Sequence, residues 1–272
     1  MGLFDGKKGL ILGVANDHSI AWAVAQQIMS EGGQCGFTHL PDRPDDERQR
    51  NRRRVAKLTD DCDQAAFLAP MNVSKDEDIE AVMQQAKDEF GTIDFLLHSI
   101  AFANLEDLKR DTVETSRDGF KMAMEISVYS LITVCNAARS IFSDNASVLT
   151  MTYFGGEKAV PGYNVMGICK AALDASVRYL AYDLGPQGVR VNAVSAGPVK
   201  TLAGRGAGVE DMLLLYEKMA PLSRNITHEE VGKSGSFLLS PSAAGVTGEI
   251  LHVDAGYNIM GSPGRLLEGY GS

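Results

Sequence analysis

Two tyrosines and a lysine between residues 153 and 170 are the side chains best suited to acid chemistry. Tyr163 and Lys170 are seven residues apart. In a helix that is close to two turns, so both project from nearly the same face, about 10 Å apart along the axis. An ammonium beside a phenol favours the ionised form, so we expect Lys170 to make Tyr163 a better proton donor. Such a pair suits a reaction that builds negative charge on a substrate oxygen. The alternative is an ordinary amphipathic helix with a solvated lysine, in which the same spacing occurs by chance.

The composition is that of a soluble globular protein. The chain has 272 residues, of which 44% are hydrophobic and 22% charged, and such a chain can bury a core without crosslinks. Its formal net charge of −9 argues against a nucleic-acid partner, which usually requires a basic excess. The first twelve residues lack the pattern of a signal peptide, and no apolar run is long enough to span a membrane. We expect a cytoplasmic protein without membrane association.

Cysteine and histidine residues are dispersed along the chain. The four cysteines form no C-x-x-C pair, and the five histidines have no metal-binding spacing. Buried reduced thiols are the favoured interpretation, and we expect no metal site.

Short apolar runs alternate with segments of helical spacing along the whole chain. The runs that we predict as strands are 9–14, 34–40, 66–71, 93–98, 147–151, 189–195 and 249–253. Between them, helices are predicted at 20–30, 74–90 (opening with a capping box at Ser74–Glu77), 120–142 and 227–239, together with a helix that runs through Lys170 and closes at Gly185. Strict alternation predicts an α/β, Rossmann-like, doubly wound fold: a seven-stranded parallel sheet with helices on both faces, in one domain spanning 1–272.

In such a sheet, ligands bind beyond the carboxyl ends of the strands. Four segments follow predicted strands and should meet there: 13–20, 99–103, 153–170 and 197–203. The first of them lacks the G-x-G-x-x-G pattern, but Gly13 permits a tight turn and the amides near Ser19 and Ile20 can receive a pyrophosphate. An ordinary helix start capped by Ser19 is the alternative.

Four motifs together resemble the bacterial NADH-dependent enoyl-acyl-carrier-protein reductases, a divergent branch of the short-chain dehydrogenases/reductases. They are GVAxxxSIA from Gly13, HSIxFA from His98, Tyr153-x9-YNVMGxxK ending at Lys170, and VRVNAVSAGPxxTLA from Val189 to Ala203. The match runs in order from about residue 3 to 260. Ordinary members of the superfamily space the Tyr and Lys four apart, whereas this branch uses seven.

The resemblance implies roles for individual residues. Tyr163 would bind the thioester carbonyl and stabilise the enolate, Tyr153 would lie close to the substrate, and Lys170 would hold the nicotinamide ribose. Substrate contacts are implied for Ala103, Tyr153, Tyr163 and Met166. Cofactor contacts are implied for Gly13, Ser19, Ile20, Leu40, Asn72, Val73, Ile100, Lys170, Val199, Lys200, Thr201, Leu202 and Ala203.

Three positions depart from the pattern of the family, and they bear on the cofactor. Leu40 stands where NADH-using relatives often carry Gln, Asn72 replaces an Asp but retains a side-chain acceptor, and the segment 41–54 is long and arginine-rich. Asp42 would repel a 2′-phosphate, whereas Arg43 could bind one. NADH is the expected cofactor, with NADPH as the alternative.

Residues 201–222 contain three glycines followed by an amphipathic helix whose apolar face includes Met212, Leu215 and Met219. We interpret this segment as a substrate lid, a surface excursion being the alternative. The resemblance further implies a homotetramer that acts on enoyl thioesters of acyl carrier protein. Two rival functions are a carbonyl-reducing dehydrogenase, which would carry Tyr and Lys four apart with a preceding Ser, and a non-catalytic NADH-binding regulator.

Overall fold

Seven parallel strands form one sheet in the computed structural model, which describes residues 2–201 and 209–267. The strands are β1 (Lys8–Leu12), β2 (Gln34–His39), β3 (Ala65–Pro70), β4 (Ile93–His98), β5 (Phe142–Thr152), β6 (Arg190–Ala196) and β7 (Ile250–Val253). Their order in the sheet is β3-β2-β1-β4-β5-β6-β7, and every neighbouring pair is parallel. The winding direction therefore reverses between β1 and β4, where a crevice opens in such sheets. The predicted doubly wound fold is confirmed.

Nine α-helices lie in the described part of the chain. They are α1 (Ile20–Ser30), α2 (Arg50–Thr59), α3 (Asp76–Phe90), α4 (Leu105–Lys109), α5 (Arg117–Met124), α6 (Ser130–Ala138), α7 (Asn164–Leu184), α8 (Val209–Met219) and α9 (His228–Leu239). A π-helical segment, Glu125–Tyr129, joins α5 to α6.

The sheet has a hydrophobic core on each face because successive strand residues point to opposite sides. In β1, Leu10 and Leu12 pack on one side with α3, α6 and α7, whereas Ile11 packs on the other with α1, α2 and α9. All three are completely buried. Strands buried on both faces read as continuous apolar runs, and β1 is such a strand.

Two local predictions are wrong. The expected capping box at Ser74 does not form: α3 begins at Asp76 without a side-chain cap, and the Asn72 oxygen accepts from the Ser74 amide instead. The predicted long helix 120–142 is interrupted by the π-helical segment and ends at Ala138, because Phe142 pairs with Ile93 and begins β5 five residues before its expected start.

A capping box does form at α9. The Thr227 side chain accepts from the Glu230 amide, and the Glu230 carboxylate accepts from the Thr227 amide.

Candidate active site

Tyr163 and Lys170 lie at the N-terminal end of α7. Tyr163 is the N-cap residue and Lys170 lies in the second turn. The turn after β5 packs directly against this helix, because a Cβ at Gly156 would lie 2.8 Å from the Ala171 backbone nitrogen. The glycine therefore allows the turn that carries Tyr153 to contact α7, and the Tyr153 and Tyr163 rings meet edge to face with centroids 4.8 Å apart.

Lys170 is buried, and its ammonium donates to the Met151 carbonyl oxygen on β5 at 2.7 Å. Burial lowers the pKa of Lys170 to about 8, although the neighbouring Asp174 and Cys169 raise it. Asp174, one turn further along α7, is also buried, and burial raises its pKa while Lys170 lowers it. A lysine has three donors, so two remain for a ligand at the end of β5.

The expected lowering of the Tyr163 pKa is wrong. Burial raises that pKa, and the neighbouring Tyr153 and Cys169 raise it further. Desolvation disfavours the phenolate, and the Lys170 ammonium is directed to the Met151 carbonyl. Tyr163 therefore stays protonated at neutral pH. Its hydroxyl makes no hydrogen bond to any described residue, so its proton is available to a substrate oxygen.

Tyr153 has a partner that sequence reasoning missed. Its hydroxyl lies 3.2 Å from the hydroxyl of Tyr216 on α8. Tyr216 is buried, whereas Leu215, which the sequence assigned to the apolar face of this helix, is 40% exposed. Met212 and Tyr216 are four residues apart and share a helical face, so this spacing could have identified the buried tyrosine. Tyr153 therefore contacts Tyr163 through its ring and Tyr216 through its hydroxyl.

Segment 13–20, where a pyrophosphate site was predicted, connects β1 to α1. Gly13 has φ of 101°, and a Cβ there would lie 2.0 Å from the Ser99 carbonyl oxygen, so only glycine fits. Ser19 occupies the N-cap position of α1, yet its side chain caps no helical amide. Instead, its Oγ accepts from the amides of Ala15 and Asn16 at 3.0 and 3.1 Å.

This arrangement fits the pyrophosphate of a dinucleotide. Among the described residues, the amides of Ile20 and Ala21 have no hydrogen-bond acceptor, because Ser19 closes the loop rather than the helix. A helix N-terminus with free backbone amides, preceded by a glycine in the connecting loop, is suited to bind phosphate.

Three residues with implied cofactor contacts, Leu40, Asn72 and Val73, follow the ends of β2 and β3. Leu40 is 62% exposed, and Asn72 and Val73 are partly buried. The Asn72 side-chain oxygen accepts from the Ser74 amide at 3.1 Å. Asp42 caps α2: its carboxylate accepts from the amides at 51 and 52, at 2.6 and 3.1 Å.

The loop after β4 carries Ile100 and Ala103, which are both partly exposed and pack against the core. Ser127, in the π-helical segment, fixes this loop: its hydroxyl accepts from the Phe102 amide at 3.0 Å and lies 3.1 Å from the Phe102 carbonyl. Ser127 is completely buried and was not identified from the sequence. Met166, predicted to contact substrate, is buried with its sulfur 3.9 Å from the Ser127 hydroxyl.

The segment after β6 lines a cleft of about 570 Å³ between α8 and the start of α9. Val199 and Lys200 border it, together with Leu213, Asn225 and other residues. Thr201 is partly exposed. The remaining predicted cofactor residues, Leu202 and Ala203, and the three glycines of the predicted lid lie outside the described residues.

No cluster of three or more potential metal ligands occurs among the described residues. Within the same residues, no helix has the length and apolar character needed to cross a membrane.

Comparison with known proteins gives one consistent result. Residues 13–258 match the family described as enoyl-(acyl carrier protein) reductase. An enoyl-acyl-carrier-protein reductase (NADH) of Nostoc sp. (strain PCC 7120) is 47% identical over 257 residues, covering 94% of this chain and 98% of that protein. The Bacillus cereus reductase of the same name is 46% identical over 263 residues, covering 96% of this chain and all (100%) of that protein.

Solved structures agree. The Bacillus cereus enoyl-acyl carrier protein reductase, crystallised with NADP+ and indole naphthyridinone, superposes with a TM-score of 0.91 at 45% identity, covering 96% of this chain and 100% of that chain. The Anaplasma phagocytophilum reductase in complex with NAD gives 0.89 at 40% identity, covering 96% and 95%. The geometry of the site and these matches lead to one conclusion: the chain belongs to the enoyl-acyl-carrier-protein reductase family.

Proposed function

We propose that this protein reduces the trans-2 double bond of enoyl thioesters on acyl carrier protein with NADH, the last step of fatty acid elongation. The observation that carries the proposal is the grouping of Tyr153, Tyr163 and Lys170 at the end of β5. The Tyr–Lys spacing of seven and the tyrosine in place of a preceding serine argue against a carbonyl reductase. An available phenol proton argues against a non-catalytic sensor.

Tyr163 is the group that meets the developing negative charge. A phenol is protonated at neutral pH, burial raises the pKa of Tyr163 further, and its hydroxyl has no acceptor among the described residues. It therefore donates to the thioester oxygen as the enolate forms. A hydrogen-bond donor placed where charge develops stabilises the transition state more than the ground state. Tyr153, whose ring packs against Tyr163, lies close to the substrate.

NADH, when bound, supplies the hydride for the β-carbon of the substrate. The amides of Ile20 and Ala21 would hold its pyrophosphate, and the spare donors of Lys170 would hold the nicotinamide ribose hydroxyls. The charge on Lys170 also adds positive potential behind the enolate. Further cofactor contacts are proposed for Gly13, Ser19, Leu40, Asn72, Val73, Ile100, Val199, Lys200, Thr201, Leu202 and Ala203.

The Asp42 carboxylate supports NADH over NADPH. It lies just beyond β2, bound to the α2 amides, and β2 is the strand whose end receives the adenosine ribose in such folds. A carboxylate at that position disfavours a 2′-phosphate by charge repulsion. Arg43 is exposed and is free to turn into solvent.

The substrate side is formed by Ala103, Tyr153, Tyr163 and Met166, and residues 201–222 serve as the lid of a single domain spanning 1–272. We further assign a cytoplasmic homotetramer. Exposed apolar side chains on α7, Tyr179 at 73% and Tyr182 at 81%, support a subunit interface on that helix.

The proposal is tested by following NADH absorbance with crotonyl-CoA, a longer enoyl thioester and a panel of ketones. We expect oxidation of NADH with both thioesters, none with the ketones, and slower turnover with NADPH. Activity on ketones alone would favour the carbonyl-reductase alternative, and NADH binding without any turnover would favour the regulator.

A further inference from the structure

Tyr216 is a buried phenol on α8 that reaches the candidate active site. It is 3% exposed, and its ring stacks on Tyr257 with centroids 3.7 Å apart and planes at 11°. A Cβ at Gly197 would lie 3.5 Å from the ring. The ring is therefore packed over the ends of β6 and β7, so tertiary contacts as well as α8 determine its position.

The Tyr216 hydroxyl and the Tyr153 hydroxyl, 3.2 Å apart, are each other's only hydrogen-bond partners among the described residues. One of the two must donate. Tyr216 is buried, and its proton has no other acceptor among the described residues, whereas Tyr153 is partly exposed and can donate to a bound ligand. Because a buried donor without an acceptor is costly, we assign Tyr216 as the donor. The Tyr153 proton is then free, and its ring lies against Tyr163.

We propose that Tyr216 is a positioning residue for the reduction: its hydroxyl donates to Tyr153 and so directs the Tyr153 proton towards the substrate beside Tyr163. This inference rests on the proposed function. Tyr216 acts through Tyr153 and not by touching the thioester. Because Tyr216 belongs to α8, the Tyr153 hydroxyl is correctly oriented only when that helix packs over the ends of β6 and β7.

A double-mutant cycle on the full-length protein tests the inference. Tyr216→Phe keeps the stacked ring and removes the donor, so we expect kcat for crotonyl-CoA reduction to fall about three- to tenfold, the effect of one net hydrogen bond. The KM for NADH should not change. In a Tyr153→Phe background the acceptor is absent, so Tyr216→Phe should have no further effect. Tyr257→Phe is the matched control: it retains the stacked ring and should leave kcat unchanged.

Three results would overturn the inference: an unchanged or increased kcat in Tyr216→Phe, an equal loss in both backgrounds, or a loss confined to the KM for NADH. An equal loss would assign Tyr216 a purely structural role. A wild-type protein that does not reduce crotonyl-CoA would overturn the proposed function together with this inference. If the wild type is active and the effects of Tyr216→Phe and Tyr153→Phe on kcat are additive, only this inference would be overturned.

Discussion

Lys170→Met should change the pH dependence of stability in a way that identifies Lys170 as a buried charge. Lys170 is 6% exposed, and burial lowers its pKa from the ordinary 10.5 to about 8. The difference of about 2.5 corresponds to about 3 kcal/mol. This is the free energy by which burial of the charge destabilises the folded state at neutral pH.

The sign of the effect follows from proton binding. Below pH 8 both the folded and the unfolded states carry the ammonium, and the full destabilisation is present. Between about pH 8 and 10.5 the folded state binds fewer protons than the unfolded state, so the stability of the wild type gains from rising pH. Methionine has no charge to bury. The stability of Lys170→Met relative to wild type should therefore fall by about 2 to 3 kcal/mol between pH 7 and pH 10.

Urea unfolding of both proteins without cofactor, at equal protein concentration, measures this difference at the two pH values. The lost hydrogen bond to Met151 and the altered packing do not depend on pH, so they cancel in the comparison. Lys121→Met, at an exposed position on α5, is the control and should differ from wild type equally at pH 7 and pH 10. A Lys170→Met effect that is also independent of pH would refute the reasoning. In binding assays, the same substitution should weaken NADH affinity.

Three further substitutions have distinct expected outcomes. Tyr163→Phe should lower kcat by roughly 100- to 1,000-fold while thermal unfolding and NADH affinity stay unchanged; wild-type turnover would remove Tyr163 from the mechanism. Gly13→Ala should lower the free energy of unfolding in urea by about 2 to 4 kcal/mol, because the alanine would have to adopt a positive φ and its Cβ would clash with the Ser99 carbonyl oxygen. A variant as stable as wild type would contradict the described turn. Ser127→Ala leaves the Phe102 amide unpaired, which should cost about 1 to 3 kcal/mol of stability and raise the KM for crotonyl-CoA. An unaltered KM would show that Ser127 does not position the loop after β4 for substrate binding.

The sequence was sufficient for the sheet because its central strands, such as β1 and β4, are buried on both faces and are mostly apolar. It failed where local signals compete. Ser143, Asp144 and Asn145 are polar and lie between the predicted helix and the predicted strand, yet β5 begins at Phe142 because that residue pairs with Ile93. Ser74 and Glu77 have capping-box spacing, but Asn72 supplies the acceptor for the Ser74 amide. Pairing across the sheet and competition between side chains are not local properties.

The sequence alone determined the residue types at the site and the separation of Tyr163 and Lys170 along one helix, because helical geometry fixes that relation locally. Only the tertiary structure decided the direction in which the pKa of each residue is shifted. Burial raises the pKa of Tyr163 and lowers that of Lys170, since both effects depend on the elements packed around the groups. The contact between Tyr153 and Tyr216, 63 residues apart in the chain, was likewise decided by the packing of α8 over β6 and β7.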